Sequence, residues 1–555
     1  MQSSKTQRWR RPGRLAAAVV AVSALLLPAG GTAAQGSEPG GRSGHADWSS
    51  WQHDLSGSRY NGQERRITPA TVGKLKLKWS YIFQNYTATV SSQPAVVGDT
   101  LYVGGPDSRF YALDTRTGGT RWSFDLRPYG GPVGAPESTD DAQKNPVRDG
   151  AAVHGRSVYF GDYRGNFYAL DRFTGQLRWT TKIDTHPAAI VTSSPAFYRG
   201  RLYVGVSSRE WAMTGDDKYP CCTFGGKVVS LDAATGRIAW TYRTVPPAQP
   251  AGTWPSGAPR YESSGGGVWG SPAIDERTGT LYVGTGQNYS GTGGHSDSML
   301  AIDAFTGRLR WANQLTHPDT WNLRCFFGPG GSCPSVDATS LDYDVSASPN
   351  LIRLPGRTLV GFGQKSGVYH ALDAATGRIV WEEQLSVPAV NQPWRGIEWG
   401  SSYDGHRIYV ATWRAQPGTL FALDPATGDV LWNSPLPADA CSTGGAANPI
   451  PIGPPANPPS CIAGINTAAS STPGLVYVGG DDGKVRIYAS ATGQLLWQYD
   501  TVRMFDGVNG LSGPGGSIAG NGGAVIANGT LYVKAGYQVG IGIGGQALLA
   551  FSLPD

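Results

Sequence analysis

One pattern, A-x-D-x-x-T-G-x-x-x-W, recurs along this 555-residue chain and limits what it can fold into. It reads YALDTRTGGTRW ending at Trp122, YALDRFTGQLRW at Trp179, VSLDAATGRIAW at Trp240 and LAIDAFTGRLRW at Trp311. HALDAATGRIVW ends at Trp381, FALDPATGDVLW at Trp432, and a degraded copy, IYASATGQLLW, at Trp497. Each copy reads as a strand, a tight turn at Asp-x-x-Thr-Gly, and a second strand with a large ring at a fixed distance past the glycine. The Asp and Thr can bond the turn backbone, the Gly takes positive φ, and the Trp can wedge against a neighbouring unit.

Repeats spaced by about 40 to 70 residues imply a solenoid or a propeller, because one small sheet cannot bury both its faces alone. Upstream of the copies lie further strand pairs, such as QPAVVGDTLYVGG (93–105) and SPAFYRGRLYVGV (194–206). Four antiparallel strands per unit is the content of a propeller blade. Trp79, in LKLKWSYIF, is an eighth ring on a lone last strand, and the C-terminal stretch GTLYVKAGYQVGIGIGGQALLAFSL lacks a last strand. The expectation is an all-β, eight-bladed propeller whose two ends share one blade, leaving no open sheet edge.

Basic residues from Lys5 to Arg14 precede the apolar run LAAAVVAVSALLL (15–27) and small residues through Ala34. This is the layout of an export signal, by the general or the twin-arginine route, and the apolar run is too short to span a bilayer comfortably. The expected organisation is a signal peptide over 1–34, a flexible segment over 35–47 and the propeller over 48–555. The five basic residues of the leader account for the whole formal charge of +5, so the mature chain is neutral and carries no nucleic-acid footprint. The expected location is secreted or periplasmic, with no transmembrane segment in the mature chain.

Six cysteines in an exported chain should be oxidised. Cys325 and Cys333 flank a short Gly-Pro loop, and Cys441 and Cys461 flank a Pro-Gly-Asn loop, so each pair closes its own loop. Cys221 is then left with its neighbour Cys222; the alternative is that these two pair elsewhere or stay reduced. No C-x-x-C-H occurs, so no c-type haem is attached.

The opening WSSWQHDLSGSRYNGQERRITPATVGKLKLKW (48–79), together with the Trp hairpins, resembles the eight-bladed dehydrogenases that use pyrroloquinoline quinone (PQQ). YPCCTFGGKVVSLDAATG, GTGQNYS, GQKSG and GIEWG resemble the polyvinyl alcohol dehydrogenase branch of that family. Such an enzyme needs a plane to stack on the flat quinone, cations for its three carboxylates, a metal to polarise the reactive carbonyl, and a base for the alcohol proton.

The resemblance implies the following parts. GVSSRE offers Glu210 as a metal ligand, and VGTGQNYS offers the amide of Gln287 or Asn288. Where the family has a W-D base this chain reads DTWN, with Asn322; LDYDVSASPNL then supplies Asp342 as the base and Asp344 as a further ligand. That D-x-D pair is similar to the one in lanthanide-using methanol dehydrogenases, so the ion is Ca²⁺ or a lanthanide. SGGGVWGSPAID nominates Trp269 for the stacking face, with Cys221 and Cys222 at a rim or wall. Lys365, Arg148 and Thr192 are the quinone's polar contacts, and Glu398 and Trp399 are wall residues. The acid the family carries in the first blade is Ser91 here.

The function implied is oxidation of an alcohol, a secondary alcohol or polyol and polyvinyl alcohol among them, with electrons passed to an external cytochrome c or other acceptor. The alternative is a cofactor-free propeller acting as a secreted scaffold. A scaffold has no need of Glu210, Trp269, Lys365 and Asp342 in four different blades.

Overall fold

The computed structural model describes residues 46–84, 91–130, 145–328, 330–334, 341–387, 395–413, 417–449, 461–538 and 542–554. The expected signal peptide and all but Ala46 and Asp47 of the segment after it lie outside the described residues. Eight antiparallel sheets follow one another, seven of four strands and the third of five, its extra strand being Ala189–Ile190. Blades 1 to 7 span 95–125, 152–182, 196–243, 273–314, 350–384, 402–435 and 470–500. Blade 8 is the split one: Val525–Ala527, Thr530–Ala535 and Ala547–Ser552 are completed on the outside by Lys76–Ile82. The first strands of successive blades touch one another from blade 1 to blade 8, which puts them innermost. Among the described residues no helix is long and apolar enough to cross a membrane.

The Trp hairpins explain why the sheets close at this number. In blades 1 to 7 the last two strands slip register at the same point, leaving Trp122 opposite Ala112, Trp311 opposite Ala301, and so on. Trp79 stands opposite Ala550 in blade 8, in the same place although its strand comes from the other end of the chain. Each indole then docks on the next blade's turn. Trp79 Nε1 donates to Thr115 O at 3.0 Å, Trp122 to Arg172 O at 3.0 Å, Trp179 to Ala233 O at 3.1 Å and Trp240 to Ala304 O at 3.0 Å. Trp311, Trp381 and Trp432 repeat the bond to Ala374, Pro425 and Ser490. The ring face lies on the turn glycine so closely that a Cβ on Gly377 would sit 2.6 Å from Trp311. At the eighth junction no hairpin turn is present, and Trp497 packs edge-on against Phe551 instead.

Within each turn the Asp does the local work. Asp303 Oδ1 accepts from the Phe305 and Thr306 amides at 3.1 and 2.9 Å, while Oδ2 takes Arg310 at 2.6 Å. Partial burial alone would raise its pKa, but the Arg310 and turn-amide bonds outweigh that and hold it down to about 2.

Residues 46–61 run round the centre of the ring and bond its blades in turn. Ala46 O accepts from Asn528 in blade 8, Trp48 pairs with Val96 in blade 1, and Ser49 O accepts from Val153 in blade 2. Leu55, Ser56, Ser58 and Arg59 then accept from Ile274, Leu351, Tyr403 and Ser471 in blades 4 to 7, and Leu55 packs on blade 3. Ala46 and Asp47 thus already belong to the ring, with Asp47 Oδ1 accepting from Gly98 N at 2.9 Å.

The docking makes a direct prediction. Gly356 has the same left-handed backbone as Gly377, φ +78° against +72°, but a Cβ there meets open space. Gly356→Ala should cost about 1 to 2 kcal/mol from backbone strain alone, and Gly377→Ala about 1 to 3 kcal/mol more from overpacking on Trp311. Equal losses in thermal melts would show that the indole contact adds nothing. The turn carboxylates predict an acid dependence: they stabilise the fold above about pH 4, their ordinary range, and that contribution is lost as pH falls toward 2. The melting-temperature gap between wild type and Asp303→Asn should therefore be open at pH 6 and close near pH 2.

Candidate active site

Because the first strands converge on the axis, residues at a fixed distance before them stand in a ring around it. Four residues ahead of each first strand lie Ser91, Arg148, Thr192, Trp269, Ser346, Glu398, Asn466 and Asn521, in blade order. Six are buried, and Arg148 and Trp269 are half-buried. Asn521 ties the ring across the axis, donating to Thr192 O at 2.6 Å and Arg148 O at 3.1 Å. A cavity of about 250 Å³ opens on this ring, with Arg148, Thr192, Trp269, Glu398 and Trp399 among its walls. The residues just past the second strands of several blades complete it: Tyr163, Arg209, Gln287, Lys365 and Tyr537. Its size falls just below the usual range of small-molecule pockets, about 300 to 1,000 Å³.

One end is acidic. Lys365 Nζ bridges the two carboxylates of LDYD, lying 3.0 Å from Asp342 Oδ2 and 2.7 Å from Asp344 Oδ2. Asp344 Oδ1 accepts from Gln287 N at 2.7 Å, which joins the fourth-blade and fifth-blade motifs. Burial pushes the Asp342 carboxyl up to about 7, against the pull of Lys365. Burial and the nearby aspartates likewise push Glu398 up to about 8 against Lys365, and they drive Asp297 and Asp319 well above the carboxylate range. The two aspartates hold Lys365 protonated against its own burial. Five buried acids thus share Lys365, with Arg395 acting on Asp342 as well.

The wall beside these acids is aromatic. Trp269 and Trp399 meet edge to face at 5.0 Å, and Lys365 Nζ lies 5.5 Å from the Trp269 ring centre. Glycines make the approach possible: a Cβ on Gly286 would fall 2.6 Å from Asp344 Oδ1 and 3.4 Å from Trp269 Nε1. The other end is basic. Arg148 donates to Ser91 Oγ at 3.3 Å and to the Tyr163 hydroxyl at 3.4 Å, and Arg209 stacks over Tyr163 at 5.0 Å.

Several walls carry polar atoms that are buried with no hydrogen-bond partner among the described residues: Asp342 Oδ1, Thr192 Oγ1, Glu398 Oε1 and Trp399 Nε1. Orphans are rare in a finished core, and four on one cavity indicate a polar ligand that completes them. An aromatic face, cations at one end and carboxylates at the other suit a flat, anionic ring system with a hard cation beside it.

Three expected parts lie elsewhere. Glu210 is fully buried but does not line the cavity; one oxygen accepts from Thr223 N and the other from Phe224 N, each at 2.8 Å, and the Tyr219 hydroxyl adds a bond at 3.2 Å. It is spent on holding the loop after the cysteines. Asn288 is likewise turned to the backbone, donating to Ser264 O at 3.0 Å, so of the two amides only Gln287 reaches the cavity. Cys221 and Cys222 are bonded to each other, as Cys325 is to Cys333 and Cys441 to Cys461. The vicinal pair is fully buried in a cluster with Tyr289 and Phe224, behind the cavity wall rather than on it. Among the described residues no three His, Cys, Asp or Glu side chains are assembled around an ion site.

Sequence reading missed Tyr163, Arg209, Tyr537, Tyr289, Trp211 and Trp321, all on the cavity. The first three were findable by counting past each second strand, and Tyr289 lies inside the quoted GTGQNYS motif.

Residues 48–325 match the family profile described as glucose/ethanol/alcohol dehydrogenase, β-propeller domain, and residues 364–538 match one described as outer membrane protein assembly factor BamB. The chain is 30% identical over 500 residues to a polyvinylalcohol dehydrogenase of Pseudomonas sp., covering 88% of this chain and 73% of that one. It is 32% identical over 513 residues to that of Sphingopyxis sp. strain 113P3, with coverage of 88% and 72%. The quinohemoprotein alcohol dehydrogenase structure from Pseudomonas putida superposes with a TM-score of 0.65 at 20% identity, over 92% of this chain and 80% of that one.

The place of Glu210 yields a test. If it anchors the loop, Glu210→Gln sets an amide against backbone donors and should lower the melting point of ligand-free protein, at a cost of about 1 to 3 kcal/mol. A residue that served only an ion would leave the ion-free melt unchanged.

Proposed function

Because the chain belongs to the glucose/ethanol/alcohol dehydrogenase β-propeller family and is an oxidoreductase of its PQQ-dependent kind, we propose that the central cavity oxidises a secondary alcohol or polyol, polyvinyl alcohol among them. The observation that carries this is Asp342 Oδ1, buried, without a hydrogen-bond partner among the described residues, and sharing one cavity with Trp269. The quinone, when bound, supplies the hydride acceptor for the alcohol carbon. Trp269 and Trp399 give its aromatic wall, Arg148 and Thr192 its polar contacts, and Asp342, Asp344 and the Gln287 amide the oxygen donors for Ca²⁺ or a lanthanide ion. Asp342 receives the hydroxyl proton. Lys365 holds the two aspartates in register and offsets their charge.

We further propose that the protein is exported, on its basic and apolar leader, and hands its electrons to an external cytochrome or other acceptor. The test is reconstitution. Purified protein is mixed with PQQ and Ca²⁺ or La³⁺, and bleaching of a redox dye is followed with 2-propanol, pentane-2,4-diol and polyvinyl alcohol. Turnover with at least one is expected. Asp342→Asn should lower it by about a thousandfold while uptake of the quinone's absorbance persists. No uptake with any ion would favour the cofactor-free scaffold.

A further inference from the structure

We propose that Lys534 joins Arg148 in a paired-cation pocket that receives carboxylate groups of the bound quinone; the inference rests on the reading that this cavity holds such a cofactor. Lys534 sits in the second strand of blade 8, opposite Leu548, and is 5% exposed. Its Nζ ends against Gly522, where a Cβ would lie 2.5 Å from it and 3.5 Å from Ser91 O. Among the described residues that ammonium has no hydrogen-bond partner and no ion pair.

Arg148 is the charged group that acts on it, and Arg148 itself bonds neutral oxygens: Ser91 Oγ and the hydroxyls of Tyr163 and Tyr537. The position where the family resemblance leads one to expect an acid beside Arg148 is Ser91. Half-buried Arg148 and buried Lys534 thus stand at one site where no carboxylate among the described residues pairs with either, and an arriving anion would offset the cost of holding charge there. Burial and Arg148 hold Lys534 well below the lysine range, which favours the neutral amine until a carboxylate arrives to restore its charge. The buried acids that share Lys365 lie between blade 4 and the approach to blade 6, so the cavity has an acidic end opposite Arg148. The carboxylate-bearing edge of the cofactor belongs at the end formed by blades 8 and 2, which leaves its other edge for Lys365 and Asp342.

The test is Lys534→Met, which keeps the length and removes the charge. Three measurements are made on apoprotein with Ca²⁺ present: the melting temperature, and the dissociation constants of PQQ and of 1,10-phenanthroline-5,6-dione, a flat ortho-quinone without carboxylates, by quenching of tryptophan fluorescence. The expected result is a melting temperature no lower than wild type, PQQ binding weakened about tenfold or more, and dione binding changed less than about twofold. Unchanged PQQ binding, or an equal loss for both quinones, overturns the pocket. If the wild-type protein takes up no PQQ, the proposed function falls; the pocket is then judged on benzene-1,3,5-tricarboxylate with the same two proteins, and absence of charge-dependent binding there overturns it too.

Discussion

Everything in this ring depends on an indole laid flat on a glycine. At seven junctions a Trp on the outermost strand of one blade covers the turn glycine of the next and donates to a carbonyl in that turn. Contact and bond act together: the missing Cβ lets the ring approach, and the approach brings Nε1 within reach of the carbonyl. Repetition of one local geometry sets one angle between neighbouring sheets, and eight such steps return the chain to its start. The last step uses Trp497 on Phe551, because the two chain ends meet in blade 8 and no turn exists there to dock on.

From that angle the site follows. First strands that converge bring eight approach positions to the axis, whatever residues occupy them, and the chemistry is chosen blade by blade. Blade 2 contributes Arg148 and blade 8 contributes Tyr537, while the approach to blade 5, its second-strand exit and blade 6 contribute Asp342, Asp344, Lys365 and Glu398. Residues from different blades therefore form a cavity with a basic end and an acidic end. The same arrangement explains the orphaned oxygens: rigid strands fix where the side chains begin, so polar atoms cannot turn back to find partners inside the protein.

Much of this was legible in the chain itself. The hairpin, the blade count and the shared closing blade are local periodic facts, and the eighth ring at Trp79 announced the seam. Asp342, Asp344, Lys365, Trp269, Arg148 and Thr192 reach the cavity because their motifs sit at strand approaches or exits, whose place the repeat fixes. Glu210 and Asn288 show where motif reading stops. Both flank such exits, but neighbouring backbone amides and carbonyls claim their side chains, and only the folded loops decide that. The cysteine pair was expected at a rim or wall and instead lies behind Tyr289, because Trp254 and Tyr261 bond the Cys221 carbonyl from a two-stranded insertion that no repeat announces.

The ribbon of residues 46–61 has a bearing on how the chain reaches this state. Its carbonyls and amides are answered by blades at both ends of the sequence, and the strand Lys76–Ile82 finds its mate only in Ala547–Ser552. As synthesis proceeds, the strand Lys76–Ile82 must therefore stay without its mate until the final residues emerge. Such long-range pairing makes assembly slow, with a sheet edge left open meanwhile. A molecule truncated by even its last strand would lose its clasp as well as that strand, and the order in which the ends become available would govern its yield.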